Sequence, residues 1–187
     1  MIKDKLIKNN CCPICEVQNI IDRNPINSKH TELNNIFSLK ECEKCGHKFL
    51  SKFPKEEYLN ELYSNNSKYV FGHDPKEESE KDIFKLHGFN EVIPYKKHWI
   101  LNFLNISQQG EYLEVGPGLC RLYKTFYEKK WICEGIELQP FINAPGMRKS
   151  FDHISNSTKN IAVALDVIEH TIDPIRFLKN INSKLKK

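Results

Sequence analysis

Tyr112-Leu113-Glu114-Val115-Gly116-Pro117-Gly118-Leu119-Cys120 reads as a short strand, a glycine turn and the first residues of a helix. Tyr112 to Val115 is an apolar strand candidate with Glu114 inside it. A carboxylate near the end of a buried strand is costly unless it is partnered, so Glu114 demands an explanation. Gly116 and Gly118 remove side chains where the backbone must turn tightly and approach a ligand. Leu119, Leu122, Tyr123 and Phe126 make one apolar face of the next helix, whose first N–H groups would face that ligand. The turn alone does not choose among a dinucleotide, another ligand and a plain structural bend.

Two further segments narrow the choice. Trp131-Ile132-Cys133-Glu134-Gly135-Ile136-Glu137 is a second strand candidate. It ends in a carboxylate at roughly the 20-residue distance expected of a ribose-binding acid. Glu137 can accept from two adjacent ribose hydroxyls. Ile161 to Leu165 is a continuous apolar run, as expected of a buried parallel strand, and Asp166 closes it. Val167-Ile168-Glu169-His170 follows, then Asp173-Pro174, a good N-cap and first helical residue. Ile175, Leu178, Ile181 and Leu185 are the expected buried stripe of that last helix.

The Glu-x-Gly-x-Gly turn, the acid at Glu137 and the string Asp-Val-Ile-Glu-His at 166–170 together resemble the cofactor half of class I S-adenosylmethionine-dependent methyltransferases. The resemblance implies an α/β fold with a partial Rossmann-like parallel sheet flanked by helices. It implies S-adenosyl-L-methionine as cofactor, with Glu114, Gly116, Gly118, Glu137, Leu138 and Asp166 on the cofactor side. His170 is then a general base near the transferred methyl, work that suits an imidazole near neutral pH. Three features depart from the family pattern. Cys120 stands where a third glycine is usual. The interval from Glu137 to Asp166, broken by Pro140, Pro145 and Gly146, has little room for a helix and a full third strand. Lys187 follows directly on the helix after the fourth motif, so the sheet is expected to be incomplete, with its fourth strand an open edge.

Upstream, Cys12-Pro13-Ile14-Cys15 and Cys42-Glu43-Lys44-Cys45-Gly46 are two C-x-x-C knuckles. Two knuckles supply four thiolates, the ligand set of a closed tetrahedral structural zinc site. Gly46 follows where a turn favours positive φ. Cys11 could take the place of Cys12 by a one-residue slip, and His47 is left unneeded. The competing reading is disulfides or unrelated reduced pairs; the start Met1-Ile2-Lys3-Asp4-Lys5 has no apolar leader core, which argues against disulfides. Residues 16–41 have room for a strand or hairpin, with Asn24-Pro25 and Asn34-Asn35 as turn signals. Pro54 suits the first turn of a helix whose apolar face is Tyr58, Leu59, Leu62 and Tyr63. This succession resembles the zinc-ribbon module in front of some bacterial methyltransferases of small molecules and sugars.

The expected organisation is a zinc-ribbon module over 1–70, a helical bridge over 71–110 and the cofactor half over 111–187. In the bridge, Ser64 to Ser67 is a polar break, and the charge run from Lys76 to Asp82 after Asp74-Pro75 reads as a solvated face. A helix is expected over 91–106, with Pro94 in its first turn and Val92, Tyr95, Trp99, Phe103 and Ile106 as a packed stripe. Tyr69 and Tyr95 are candidates to border the cofactor site. Cys120 and Cys133 read as buried free thiols.

The 187 residues carry a net charge of +4 and are 40% hydrophobic. No dense Lys/Arg run tracks phosphates, so nucleic acid is a poor candidate partner. The mean hydropathy of −0.54 reads as that of a soluble chain, and no stretch approaches the roughly 20 apolar residues of a membrane-spanning helix. A cytoplasmic enzyme acting on a small-molecule or sugar-nucleotide acceptor is the expectation. The alternative is a zinc-stabilised interaction module on a degenerate, inactive methyltransferase fold, with a protein partner at its open sheet edge.

Overall fold

The computed structural model describes residues 2–26, 37–59, 88–104, 108–138 and 140–187. The chain divides into two units, Met1–Asn65 with Ile172–Ile175, and Asn66–Thr171 with Arg176–Lys187.

In the first unit, β1 (Leu6–Lys8) pairs antiparallel with β5 (Lys52–Pro54). A second antiparallel sheet runs β2 (Ile20–Pro25), β3 (Ser38–Cys42), β4 (Lys48–Leu50), with Ile20 opposite Cys42 and Glu41 opposite Lys48. The expected strand content of residues 16–41 is therefore present as β2 and β3. The Asn24-Pro25 turn is not there: both residues close β2, where the register shifts between Asp22 and Pro25. Proline has no N–H to give a ladder, so a strand end beside an irregularity tolerates it. Pro54 likewise ends β5 opposite Leu6 rather than opening a helix. Helical backbone begins two residues later, over 56–59, where the Lys55 carbonyl accepts from the N–H groups of Tyr58 and Leu59 at 3.0 Å each. Leu62, Tyr63, Ser64 to Ser67, Tyr69, the 76–82 charge run, Asn34-Asn35 and Ile106 lie outside the described residues.

The second unit is organised by four parallel strands, β6 (Glu111–Val115), β7 (Ile132–Ile136), β8 (Met147–Arg148) and β9 (Ile161–Ala164), in the order β8-β7-β6-β9. Strand side chains alternate between faces, and β6 shows it. Tyr112 packs with Tyr123 and Phe126 of one helix, which spans Arg121–Glu128; Leu113 and Val115 pack on the opposite face with Phe177 and Ile181 of another, which spans Pro174–Lys184. A four-residue helix, Ile100–Phe103, precedes β6. In chain order these are α1 (Ile100–Phe103), α2 (Arg121–Glu128) and α3 (Pro174–Lys184). The Tyr112 and Phe126 rings stack with centroids 3.8 Å apart and planes 4° from parallel.

No helix is described between β7 and β8. A loop covers the α2 side instead. Tyr123 donates its hydroxyl to the Pro145 carbonyl at 2.6 Å, and Ile142 and Ala144 are buried. Gly146 is required here, because at φ +77° a Cβ would lie 2.3 Å from the Cys133 carbonyl oxygen. The third strand is thus present but only two residues long.

Strand β9 is an edge among the described residues. The Asn160 N–H turns inward to the Glu111 carbonyl of β6, while the Lys159 N–H and carbonyl turn outward to Lys184 and Lys186. The residues after α3 therefore cover the start of that edge, as a parallel bridge between Lys159 and Leu185.

Two expectations are corrected. The long helix over 91–106 is absent: Phe89–Glu91 is a 3₁₀ turn, Val92 is extended at φ −68° and ψ 131°, and α1 holds four residues. Pro94 disfavours helical backbone in the residue before it, which stops the helix from passing through Ile93. Of its stripe Val92 is core, but Tyr95, Trp99 and Phe103 are exposed, the last two at 59% and 79%. In α3, Ile181 packs against the sheet as expected, but Leu178 is exposed and Phe177 takes its place. Lys184 extends that buried face by sending its ammonium to the Ile154 carbonyl at 3.0 Å and Asn156 Oδ1 at 2.6 Å. Among the described residues no helix is long and apolar enough to cross a membrane.

Candidate functional site

The four knuckle cysteines converge. Their sulfurs all lie within 4.8 Å of one another. Cys12–Cys45 and Cys15–Cys45 are 3.6 Å apart, and Cys15–Cys42 is 3.5 Å. A tetrahedral zinc with bonds of about 2.3 Å requires sulfur separations of about 3.8 Å, so the donor set fits that ion. The two knuckles share one backbone design. The Glu16 N–H returns to the Cys12 carbonyl at 2.9 Å, and the Gly46 N–H to the Cys42 carbonyl at 2.8 Å. The residue after each second cysteine is left-handed, Glu16 at φ +59° and Gly46 at φ +71°. The Ile14 N–H donates to Cys12 Sγ at 3.4 Å.

The slip to Cys11 is excluded, since Cys11 lies outside the cluster. His47 is also outside it and stacks on Phe49 with centroids 5.8 Å apart. Burial opposes ionisation of Cys42, but N–H donors at Cys45 and Lys44 and the Cys15 thiol bring it down to about 7. Cys15 is pushed up to about 12, first by burial and then, against a Val17 backbone bond, by the neighbouring thiols. Four thiols in this space cannot all ionise without a cation among them, which is the condition a divalent metal meets.

In the second unit, the sequence candidates gather at the carboxyl ends of β6, β7 and β9. In parallel pairing Val115 lies beside Ile136 on one side and Ala164 on the other. The turn after β6, the acid after β7 and the Asp166 motif after β9 are therefore neighbours. Gly116 (φ +67°), Gly118 (φ +50°) and Cys120 (φ +56°) are all left-handed, so Cys120 adopts the backbone a third glycine would supply. A Cβ on Gly116 would lie 2.5 Å from Val167 Cγ2, so glycine lets the β6 turn close against the β9 motif. The Gly118 N–H donates to Glu137 Oε2 at 3.2 Å, which ties the acid after β7 to the glycine turn. Asp166 is also left-handed (φ +54°) and exposed. Leu138 is 55% exposed beside Glu137. His170 ends an exposed 3₁₀ turn, Ile168–His170.

Glu114 is the electrostatic anomaly. It is 5% exposed, beneath this turn on the α2 side of the sheet. Burial pushes its carboxyl up to about 8, partly offset by the Tyr112 hydroxyl, which donates to Oε2 at 2.8 Å. Burial, then Glu114 and Glu137, raise the buried Cys120 thiol to about 12. Burial and then the Glu114 charge hold the Tyr112 hydroxyl well above the usual phenol range, and burial, then Cys133 and Cys120, do the same for Tyr123.

Sequence reasoning did not pick out Tyr112 as the partner of Glu114. The i, i+2 spacing in a strand was the available signal, because it puts both on one face. Nor did it find Val167 as the residue that requires Gly116. Tyr95 borders the site's helix: its N–H reaches the Arg121 carbonyl at 3.3 Å, and the Arg121 guanidinium lies 5.6 Å from its ring centroid. No protein-family model matches the chain, and no curated protein or solved structure is significantly similar to it.

Proposed function

We propose that the second unit is a Rossmann-like S-adenosylmethionine site and that the protein is a methyltransferase of a small molecule or sugar nucleotide. One observation carries this reading. The Glu137 carboxylate after β7 bonds the Gly118 N–H in the left-handed turn after β6, at the carboxyl ends of a parallel sheet where strand order reverses. Open α/β sheets bind ligands at such a reversal.

The charge at this end favours a cationic nucleoside over a dinucleotide. Glu137 and Asp166 lie at strand ends there, and a pyrophosphate would meet their carboxylates. When bound, the cofactor supplies a methyl group already activated on a sulfonium. The chain's own residues bind, orient and exclude water. Gly116 and Gly118 let the backbone come close. Glu137 would accept from a ribose diol. Glu114 and Asp166 face the positively charged end, with Leu138 beside the ribose acid. His170 would take a proton from an acceptor hydroxyl or amine. Cys12, Cys15, Cys42 and Cys45 would hold a zinc ion, whose closed four-thiolate shell gives it a structural role.

Calorimetric titration of the zinc-loaded chain with S-adenosylhomocysteine tests the site. Micromolar binding is expected, and Glu137→Ala should weaken it by about tenfold or more, the loss of about 1.4 kcal/mol or more of charge-assisted hydrogen bonding. Unchanged affinity would remove its ribose role. Firm cofactor binding with no methyl transfer across an acceptor panel would favour a second reading, a zinc-stabilised interaction module. The β9 edge, paired only with β6 among the described residues and covered only at its start, supports that reading.

A further inference from the structure

Glu114 is a buried acid that the packing of the sheet does not need. Its register neighbours are Gly135 on β7 and Val163 on β9, neither of which bears charge. The titratable groups facing it are Tyr112 on its own strand, Cys133 on β7, and Cys120 with Tyr123 at α2. Glu137 adds negative charge at Cys120. The loop over the α2 side contributes Ile142, Ala144 and Pro145, all uncharged. The cation that reaches Cys133 is Lys159, and it is held by Glu111 at 3.0 Å and by Glu134. Among the described residues, no basic group offsets the burial of Glu114. A purely structural position would take leucine or glutamine at lower cost.

We infer that Glu114 is a neutral acid in the ligand-free site and surrenders its proton to solvent when a ligand's ammonium or sulfonium docks at the β6 turn, so that binding releases one proton. The inference rests on the cofactor reading and adds the charge class and proton balance of the ligand. Tyr112 is the positioning residue: its hydroxyl donates to Oε2 and leaves the other carboxyl oxygen to carry the proton and later to meet the cation. Below the point where Glu114 ionises by itself, affinity for a cationic ligand rises about tenfold per pH unit, because the carboxylate form binds it.

The test is titration of the zinc-loaded full chain with S-adenosylhomocysteine near neutral pH in phosphate and in Tris, buffers with different ionisation enthalpies. The expected result is a difference in apparent binding heat equal to the release of close to one proton per ligand. Adenosine, which lacks the ammonium, should bind with equal heats in the two buffers. Glu114→Gln should abolish the buffer dependence for S-adenosylhomocysteine. Equal heats for S-adenosylhomocysteine with the native chain, binding being present, would overturn proton release while leaving the cofactor reading intact. Absence of binding by either probe would instead remove the cofactor reading, and the inference with it. A ligand-free measurement stands apart from both. The carboxyl carbon resonance lost in Glu114→Gln should show the protonated shift near neutral pH, and the ionised shift would overturn the inference.

Discussion

The first unit buries Cys12, Cys42 and Phe49 at its centre, with Cys15, Val17 and Ile20 packed around them. The second buries Tyr112, Leu122, Tyr123, Phe126 and Trp131 on one face of its sheet and Leu113, Val115, Ile136 and Ile154 on the other. Two of the three buried centres of the first unit are thus candidate metal ligands, whereas the second has aromatic rings from neighbouring elements in direct contact. Each large apolar side chain buried there contributes roughly 1.5–3 kcal/mol. The comparison sets a unit whose centre is a cysteine cluster able to hold a metal ion against one whose centre is packed rings. On the proposed reading the site follows the same division: four thiolates would close around a metal in the first unit, and the second would carry the groups that meet a ligand.

Metal removal is the strongest way to break the comparison. Structural zinc contributes about 10–16 kcal/mol of apparent folding free energy in small cysteine-rich modules. A chelator, or Cys42→Ser, should therefore unfold the first unit. Hydrogen exchange over Ile20–Pro25 and Ser38–Cys42 should become fast while Glu111–Val115 and Ile132–Ile136 stay protected. Continued protection of β2 and β3 without metal would sink the ion-dependent account.

The reciprocal experiment is Phe126→Ala. It removes the ring stacked 3.8 Å from Tyr112 and 5.3 Å from Trp131, and should cost about 3–5 kcal/mol of second-unit stability. Cobalt bound by the four cysteines should keep its thiolate charge-transfer absorption in this variant. If that spectrum is lost as well, the two units do not fold by separate means.

Glu114 sharpens the contrast within the packed unit. Its carboxyl is raised in the folded chain to about 8 against 4.5 for the ordinary group. The folded state then holds more protons than the unfolded one, so this contribution is fully present below the ordinary value and is lost as pH rises through the raised one. Between those limits stability should fall by about 1.4 kcal/mol per pH unit. Glu114→Gln should flatten that decline in urea melts; an unaltered slope would mean that the carboxyl is not held neutral.

Much of this was legible in sequence wherever a residue type has a single physical use. Paired cysteines at C-x-x-C spacing, Gly116 and Gly118 after an apolar strand, and the apolar run before Asp166 each marked an element the structure contains. The failures came where local signals compete. Pro94 was read as the opening of a helix, but its restriction on Ile93 prevailed. Pro54 suits a helix start but instead closes an antiparallel pair with Leu6, a tertiary contact no local pattern carries. In the α3 stripe Phe177 takes the place of Leu178, because the two are adjacent apolar residues and only the sheet beneath decides between them. In the site, periodicity could place Glu114 on a face, but the lack of a compensating cation required the packed neighbours.

The two knuckles offer the finest comparison, because on the same backbone a glutamate follows the second cysteine in one and a glycine in the other. Glu16 and Gly46 both follow the second cysteine, both are left-handed, and both return an N–H to the first cysteine's carbonyl. Left-handed backbone costs a side-chain-bearing residue about 1–2 kcal/mol, and glycine nothing. Glycine in turn raises the entropy of the unfolded chain by about 0.5–1 kcal/mol. Glu16→Gly should therefore stabilise the first unit by about 0.5 kcal/mol. Gly46→Ala should destabilise it by roughly 0.5–1 kcal/mol, the left-handed cost less the unfolded-chain entropy that alanine removes, since a Cβ at Gly46 would meet nothing within 4 Å. Chelator competition at fixed metal reads both changes, because the free energy of folding and that of metal binding are one quantity here. Opposite shifts would establish that backbone handedness, not the identity of the intervening residues, sets how well each knuckle presents its thiolates. Shifts of the same sign would show that the Glu16 side chain contributes something the glycine at 46 does without.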